Sequence, residues 1–298
     1  MKLLTVNTKY ARKDISKNMA SLILEGGTLR PILSCGVMDA LIDQNIIFPY
    51  VIGVSAGITY GMSYISKQKE RNLEIVTKYR NDKRYLGIGN FKKYNSLFGL
   101  DFVYDEVPNK LCPFDWETFL DYKGTVLVGV TNANTGHIEY MNGKDLDEKC
   151  TMLRATCALP MLFPAIKING VPYYDGGLAD SIPIKKAIMD GNKKHLIVLT
   201  RTADYRKELT KSVRLTASII GKRYPRISRL MLNRHIRYNK TVEFVNRLEQ
   251  EGKAIVLRPE YELNSFEKDV NVLKETNRMG YELAMKRIDE IATLIQEL

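Results

Sequence analysis

Residues 49–65, PYVIGVSAGITYGMSYI, contain the turn on which the fold of this chain depends. The apolar run at residues 49–52 predicts a buried strand, and the segment that follows, as far as about residue 65, predicts a helix. Between them the pentapeptide GVSAG at residues 53–57 matches the pattern G-x-S-x-G. In a strand-turn-helix setting this pattern projects the serine, here Ser55, away from the edge of a sheet, where it can act as a nucleophile.

Ser55 has two interpretations on this motif alone. As a nucleophile, it would lie at the start of the helix, where free N–H groups and the helix dipole stabilise a developing oxyanion. As a structural residue, it would cap the helix, which is a frequent role of serine. The motif favours the catalytic role over the capping role, and other segments of the sequence are needed to distinguish the two.

Other apolar runs extend the same architecture on both sides of this turn. They predict strands at residues 21–24, 125–130, 138–141, 165–168, 171–174, 196–199 and 254–257. Three further helices are predicted: one that begins near residue 31, one at residues 145–157 and one at residues 273–298. Strands that alternate with helices indicate an α/β fold, with a largely parallel central sheet flanked by helices.

The domain organisation follows from what interrupts the chain. The 298 residues contain no repeat, low-complexity tract or Pro/Ser-rich linker. We therefore expect a single catalytic domain at residues 19–298, preceded by a polar, basic arm at residues 1–18. The core of the domain should span about residues 20–202, and a C-terminal helical extension should cover about residues 203–298.

Charge and cysteine usage narrow the class of protein without identifying it. The 45 Lys and Arg residues exceed the 34 Asp and Glu residues, and the net charge of +11 favours anionic partners. The four cysteines include no C-x-x-C pair, which fits buried thiols in a reducing compartment better than disulfides or a zinc site. Without a signal-peptide pattern or a membrane-spanning apolar run, the sequence predicts a cytoplasmic protein that can still bind peripherally to a membrane.

Two further glycine-containing segments carry candidate functional residues. Residues 25–30 (EGGTLR) follow the first strand and can direct consecutive N–H groups at an anion, although they are also compatible with a simple turn. Asp175-Gly176-Gly177 follows the strand at residues 171–174, where a carboxylate can be held near a serine or can close an Asx turn. Neither segment by itself favours catalysis.

Taken together, the three segments resemble the patatin-like phospholipase family, in particular a bacterial branch of it. The hallmarks of this family are a D/E-G-G-G-x-R-G oxyanion loop, a G-x-S-x-G nucleophile and a distal D-G-[GA] aspartate, which correspond to residues 25–31, 53–57 and 175–177. Further stretches that look like the family are residues 84–87 (RYLG), 97–102 (LFGLDF), 155–160 (ATCALP), 163–164 (FP) and 180–183 (DSIP). The resemblance covers about residues 20–202.

The resemblance implies a serine lipid acyl hydrolase. Such an enzyme cleaves carboxylic esters of phospholipids or related lipids through an acyl-enzyme, and it needs neither a metal nor another cofactor. On this interpretation Ser55 is the nucleophile and Asp175 its base, and the oxyanion hole is formed by Gly26, Gly27 and Thr28. The positions that support the motifs are Arg30, Gly53, Gly57, Gly176 and Gly177.

The chain departs from the family pattern at two positions of the oxyanion loop. Thr28 stands in place of the third glycine, and a positive φ there would strain a β-branched residue. Pro31 stands in place of the last glycine and has no N–H to donate. These departures keep open a non-catalytic protein that binds anions or membranes on the same scaffold. An acyltransferase that uses the same acyl-enzyme is a further alternative.

The resemblance also implies a catalytic dyad without histidine. The histidines of the chain are His137, His195 and His235. His195 or His235 follows the serine and the aspartate in chain order and would formally complete a triad. Because His195 opens an apolar strand and His235 lies within a basic stretch, the sequence favours the Ser55–Asp175 dyad over a triad.

Residues 211–240 form a basic stretch that could contact an anionic partner. They contain nine basic and no acidic side chains, and the apolar residues Ile220, Tyr224, Ile227 and Met231 recur at helical spacing. Such a helix can lie on an anionic membrane surface, or its apolar stripe can pack on the core while its charges are solvated. No nucleic-acid-binding module is recognisable, so the sequence does not favour nucleic acid as a partner. The oligomeric state is left open.

Overall fold

The computed structural model describes residues 19–296, and its centre is an eight-stranded sheet. The strands are β1 (Met19–Leu24), β2 (Tyr50–Val54), β3 (Thr125–Asn132), β4 (Ile138–Asn142), β5 (Ile166–Ile168), β6 (Val171–Asp175), β7 (Asn192–Val198) and β8 (Ala254–Leu257). The α-helices are α1 (Ile32–Asp43), α2 (Ser55–Ile65), α3 (Arg71–Tyr79), α4 (Asn90–Tyr94), α5 (Trp116–Asp121), α6 (Thr151–Thr156), α7 (Ile184–Met189), α8 (Lys211–Gly221), α9 (Pro225–Gln250), α10 (Val270–Met285) and α11 (Ile288–Gln296). A π-helical segment covers Phe102–Leu111, and 3-10 turns cover Gly143–Asp145 and Gly176–Leu178. The N-terminal arm predicted at residues 1–18 lies outside the described residues.

The sheet is mostly parallel, which confirms the predicted fold class. Its order is β5-β6-β3-β2-β1-β7-β8, and β4 also pairs with β3. The strands β8, β7, β1, β2 and β3 run parallel, whereas β4 and β6 are antiparallel to β3 and β5 is antiparallel to β6. A central parallel strand is covered on both faces and is therefore apolar throughout. In β1, Leu22 and Leu24 enter one core and Ile23 enters the other, and all three are fully buried.

Two predicted helices differ from those observed. The helix predicted at residues 145–157 is reduced to α6, because the Asp147 carboxylate accepts a hydrogen bond from the Thr151 N–H (2.6 Å) and Cys150 has a φ of 51° directly before the helix. The helix predicted at residues 273–298 is divided into α10 and α11 by a turn at Lys286. This turn allows α11 to pack against β1 and β7.

The C-terminal part of the chain is built into the same layers as the rest. β8 extends the sheet beyond β7. α10 packs closely on α1, since a Cβ atom on Gly36 would lie 1.8 Å from the carbonyl oxygen of Asn277. Within residues 19–296, no helix is both long enough and apolar enough to cross a membrane.

The register of the sheet decides where functional loops meet. Leu24 at the end of β1 pairs with Gly53 of β2 on one side and with Val198 of β7 on the other. Because these strands are parallel, the loops that follow them leave the sheet at the same edge. That edge carries the candidate site.

Candidate active site

Ser55 lies at a sharp turn between β2 and α2. Its φ is 55°, a left-handed conformation that a residue with a side chain adopts only at a cost. Its N–H donates to the hydroxyl of Thr156 (2.8 Å), which in turn donates to the carbonyl oxygen of Gly129 (2.6 Å). The turn is thus tied to β3 through a side chain of α6.

The Asp175 carboxylate lies beside Ser55. It is almost fully buried at the end of β6 and lines the same pocket as Ser55, whose side chain favours its charged form. One of its oxygens, Oδ1, accepts a hydrogen bond from the N–H of Gly177 (2.7 Å). No side-chain hydrogen bond caps the start of α2 in the described residues, so the helix-capping interpretation of Ser55 has no support there.

Adjacent residues of β3 bring these two groups together. Gly129 pairs with Val54, the residue before Ser55, and Val130 pairs with Asp175. Although 120 positions separate the serine from the aspartate in the sequence, the register of one strand places them side by side.

The environment raises the pKa of Asp175. Burial is the largest cause, because a charged carboxylate loses hydration in the interior. The hydrogen bond from Ser55, the positive charge of Arg234 and the Gly177 N–H act in the opposite direction. A carboxylate with a raised pKa is a better proton acceptor than an ordinary aspartate.

Close approach of backbone explains the motif glycines. A Cβ atom on Gly26 would lie 2.6 Å from Cβ of Ser55, and one on Gly57 would lie 2.4 Å from the carbonyl oxygen of Glu25. The loop after β1 can therefore pass directly against the serine turn. Gly53 and Gly176 also contact neighbouring backbone, of β1 and β3 respectively.

Three N–H groups of the loop at residues 25–31 are available to an oxyanion. Within residues 19–296, those of Gly26, Gly27 and Thr28 donate to no protein acceptor, whereas the N–H of Leu29 donates to the Ser265 carbonyl oxygen (3.2 Å). Thr28 has a φ of 60°, the conformation that is costly for a β-branched residue. Pro31 precedes α1 with a φ of −64°, a position that requires no donor.

Hydrogen bonds of buried side chains fix the loop at residues 25–31. The Arg30 guanidinium donates to the hydroxyls of Thr200 (3.3 Å) and Ser265. The Glu25 carboxylate accepts from the N–H of Thr200 (2.7 Å), and burial together with this negative charge raises the pKa of Tyr238. Residues far along the chain therefore fix the loop after the first strand.

Two cavities adjoin Ser55. Within the described residues, none of the three histidines lines either of them. His195 accepts or donates a hydrogen bond with the Ser21 hydroxyl (2.8 Å) at the start of β1, about 10 Å from the end of that strand. His137 is exposed in the turn after β3, and His235 lies on α9.

Ser55 lies between two cavities of different character. The apolar cavity has a volume of about 120 Å³, and its walls include Tyr60, Ile75, Phe98, Tyr104, Leu153 and Phe163. The basic pocket has a volume of about 250 Å³, and its walls include Glu25, Arg30, Asp175, Arg201, Lys207 and Arg234. Both cavities also reach Thr28.

The basic stretch at residues 211–240 packs on the core through its apolar stripe. Ile227 is fully buried, and Tyr224 and Met231 are nearly so. Arg234 continues this stripe at helical spacing, and its Nε donates to the carbonyl oxygen of Gly177 (2.6 Å) beside Asp175. Arg237 donates to the next carbonyl oxygen, that of Leu178 (2.8 Å). Sequence reasoning missed these contacts, although the phase of Arg234 within the stripe was a usable signal.

Comparison with known proteins places these residues in a family context. A family model described as patatin-like phospholipase matches residues 22–188, which include Ser55 and Asp175, and a domain of unknown function, DUF6363, matches residues 224–296. The chain is 24% identical over 188 residues to the uncharacterized protein YjjU of Escherichia coli (strain K12), a match covering 60% of this chain and 51% of YjjU. It is 26% identical over 200 residues to the probable lipid hydrolase 463L of Invertebrate iridescent virus 6, covering 60% of this chain and 67% of that protein.

Among solved structures, VipD from Legionella pneumophila has a TM-score of 0.46 and 15% identity, covering 92% of this chain and 67% of the VipD chain. The matched part spans about half the length of YjjU. The patatin-like phospholipase model, by contrast, matches more than half of the 298 residues of this chain and includes all three motif segments. The chain therefore belongs to the patatin-like phospholipase family.

Proposed function

We propose that this protein is a serine lipid acyl hydrolase that cleaves carboxylic esters of phospholipids or related lipids through a Ser55–Asp175 dyad and an acyl-enzyme. The observation that carries the proposal is that Ser55, at its strained turn, and the buried carboxylate of Asp175 line the same pocket beside neighbouring positions of β3, where the Ser55 side chain opposes the raised pKa of Asp175. A serine and a base in hydrogen-bond contact are the minimal unit of nucleophilic ester cleavage. Membership of the family and the relative named as a probable lipid hydrolase support the same class of substrate.

The reaction proceeds in two symmetrical halves. Asp175 accepts the Ser55 proton while Oγ attacks the ester carbonyl, and the protonated carboxyl group then gives this proton to the leaving alcohol. A water molecule repeats the sequence on the acyl-enzyme, which releases the fatty acid and restores Ser55. In each half, negative charge develops on the carbonyl oxygen, and we assign its stabilisation to the N–H groups of Gly26, Gly27 and Thr28, which donate to no protein acceptor within residues 19–296.

The apolar cavity supports an acyl chain as the group bound to the carbonyl. Its lining includes residues of α2 from Ser55 to Met62 and also Arg71, whose Nη1 donates to the hydroxyl of Ser63 (3.2 Å). The eight helical steps from Ser55 to Ser63 correspond to about 12 Å. Apolar walls of this depth favour a hydrocarbon chain over a polar acyl group.

Labelling with a fluorophosphonate probe tests the proposal directly. We expect wild-type protein to be labelled and Ser55→Ala not to be, because the probe forms its bond with an activated serine. A panel of esters of increasing acyl length should then show hydrolysis that favours long chains. Wild-type protein that is folded but neither labelled nor active would refute the proposal and favour a non-catalytic binding protein. Transfer of the acyl group to an added alcohol in preference to water would identify an acyltransferase.

We also propose peripheral contact with anionic membranes through residues 211–240. The supporting observation is that Leu215 and Ile219 of α8 are 65% and 44% exposed, on a helix that also carries Lys211 and Arg214. Apolar side chains flanked by basic ones suit a membrane interface. Substitution of both Leu215 and Ile219 by Glu should weaken binding to phosphatidylglycerol vesicles, and the exposed Val272 of α10 provides a matched control position. Equal binding by the variant and the wild type would exclude this contact.

A further inference from the structure

The basic pocket holds an excess of positive charge next to the nucleophile. Arg30, Arg201, Lys207 and Arg234 line it, against the carboxylates of Glu25 and Asp175. The Glu25 carboxylate accepts a hydrogen bond from the Thr200 N–H, and the Asp175 carboxylate accepts one from the Gly177 N–H. Neither carboxylate makes an ion pair within the salt-bridge distance with these four cations, in the part of the chain that the structure describes.

Donor atoms in this pocket are left without acceptors. Within residues 19–296, the buried Nε of Arg201 has no hydrogen-bond partner, although its Nη1 pairs with Glu262. Lys207 Nζ lies 4.6 Å from the ring of Tyr238 and donates to no protein acceptor in the same range. The Nη2 of Arg30 lies against Gly27, and that of Arg234 against Gly177. The residues that carry these donors all line the basic pocket, which Ser55 also lines.

The pKa of Lys207 reports the same excess of charge. It is lowered to about 7, chiefly by burial and then by the positive charges of Arg234, Arg30 and Arg201, against the opposing effect of Glu25. An anion bound in the pocket would offset this repulsion and favour the charged ammonium group. Among the described residues, Glu25 opposes this repulsion only in part, since the pKa of Lys207 stays well below its usual value.

We propose that the basic pocket binds a phosphate monoester carried by the alcohol part of the substrate, so that the enzyme prefers acyl esters of phosphorylated alcohols. This inference rests on the proposed function, because it assigns the pocket relative to the ester at Ser55. A phosphate monoester offers up to two negative charges and three terminal oxygens, which match guanidinium groups that donate through parallel N–H bonds. With the acyl chain in the apolar cavity, the alcohol is the part of the ester that faces the basic pocket.

The pocket draws most of its cations from outside the part of the chain that matches the family model. Arg201, Lys207 and Arg234 follow residue 188, and Arg234 lies in the segment that matches DUF6363. The C-terminal part of the chain therefore determines specificity for the alcohol, while residues 22–188 supply the nucleophile, the base and the acyl cavity.

A matched set of substrates tests this assignment. Hydrolysis by the full chain is compared for lysophosphatidic acid, lysophosphatidylcholine and monoacylglycerol with the same acyl chain, in mixed micelles of a neutral detergent. We expect kcat/KM for lysophosphatidic acid to exceed that for each of the other two by at least about tenfold, and inorganic phosphate to compete with it. Arg201→Gln and Lys207→Met should each lower the ratio of lysophosphatidic acid to monoacylglycerol by about tenfold or more, the usual size of a lost charged hydrogen bond.

Controls separate the possible outcomes. Arg247→Gln and Lys274→Met remove exposed charges from α9 and α10, outside both cavities, and should leave the ratio unchanged. A ratio near one in the wild type, or an equal loss in these controls, would overturn the proposal. Equal hydrolysis of lysophosphatidylcholine would assign the pocket to a phosphodiester instead, and inhibition by phosphate without the preference would assign it to the free ion. Fluorophosphonate labelling of the same samples measures the reactivity of Ser55 independently of substrate preference. Absence of labelling would therefore indicate that the proposed function itself is wrong.

Discussion

The apolar cavity and the basic pocket are both lined by Ser55, but they differ in whether the protein satisfies the hydrogen-bond donors of their cations. The cation at the end of the apolar cavity, Arg71, donates to the carbonyl oxygen of Cys112 (2.7 Å) and to Ser63, so the protein itself satisfies it. Arg30 and Arg234 of the basic pocket also donate to protein acceptors, but within residues 19–296 Nε of Arg201 is buried without a partner. A donor satisfied by the protein needs no ligand, whereas a buried donor without a partner is explained by one.

The two cavities also differ in where their walls come from along the chain. The lining of the apolar cavity lies between residues 28 and 163, within the part that matches the patatin-like phospholipase model. The lining of the basic pocket extends to Arg201, Lys207 and Phe266. We infer that acyl recognition belongs to the family core and that recognition of the alcohol can change with the C-terminal part.

The largest effect is expected for the base, which lies on the side of the basic pocket. Asp175→Asn should lower kcat for any ester by about 10³–10⁴-fold, because the amide cannot accept the Ser55 proton. In the wild type, kcat/KM should fall as the pH decreases, since the base is active only when ionised. Because the pKa of Asp175 is raised, this fall should begin at a higher pH than for an ordinary aspartate. The measurement is a pH profile of ester hydrolysis for both proteins.

Asp180→Asn is the matched control for that substitution. The Asp180 carboxylate accepts a hydrogen bond from Tyr140 (2.7 Å), and burial also raises its pKa, but it lines neither of the two cavities. Loss of a buried carboxylate in general would affect both variants, whereas loss of the base would affect only Asp175→Asn. Full activity in Asp175→Asn would remove the dyad.

A smaller and more selective effect is expected in the apolar cavity. Ile75→Trp on α3 should fill part of the cavity and lower kcat/KM for long-chain esters by about 10–100-fold, as expected when a few methylene groups lose their apolar environment at about 0.8 kcal/mol each. Acetyl esters should be affected by less than about threefold. Met189→Trp adds the same side chain at an exposed position of α7, outside both cavities, and serves as the control. An equal loss for short and long esters would mean that the cavity does not hold the acyl chain.

The sequence predicted those parts of the site that depend on local pattern. The strand-turn-helix around Ser55, the glycine loop at residues 25–30 and the hairpin that precedes Asp175 each combine short-range signals, and the structure contains all three elements. The strand order is not encoded in this way. Without it, the pairing of β3 with both β2 and β6, which brings Ser55 to Asp175, was not predictable from spacing alone.

The supporting contacts were missed because they join segments that are distant in sequence. Thr156, Thr200 and Ser265 are ordinary hydroxyl residues in the sequence, yet they fix Ser55 and the loop at residues 25–30. The basic stretch was interpreted by its total charge, which does not distinguish the inward Arg234 from its solvated neighbours. Its phase with Ile227 and Met231 on α9 does so.

The smallest effect on activity is expected at His195, which distinguishes a two-residue site from a triad. His195 is buried at the opposite end of β1 from the oxyanion loop, bonded to Ser21. His195→Asn should therefore change ester hydrolysis by less than about twofold, although the loss of a buried hydrogen bond should lower the free energy of unfolding by about 1–3 kcal/mol. A loss of more than about 100-fold in kcat, in protein that remains folded, would instead indicate that this histidine takes part in catalysis.

The pH dependence of stability provides the second half of the same test. Burial lowers the pKa of His195 from 6.5 to about 4, so the unfolded chain binds a proton more readily than the folded one between these values. The stability of the wild type from this source is complete above pH 6.5 and is lost as the pH falls towards 4, by up to about 3 kcal/mol at 1.36 kcal/mol per pKa unit. Urea unfolding at pH 7, 5.5 and 4 should show this slope in the wild type and a weaker one in His195→Asn. Equal slopes would show that His195 does not titrate in this way, and activity retained across the series would still place it outside the catalytic site.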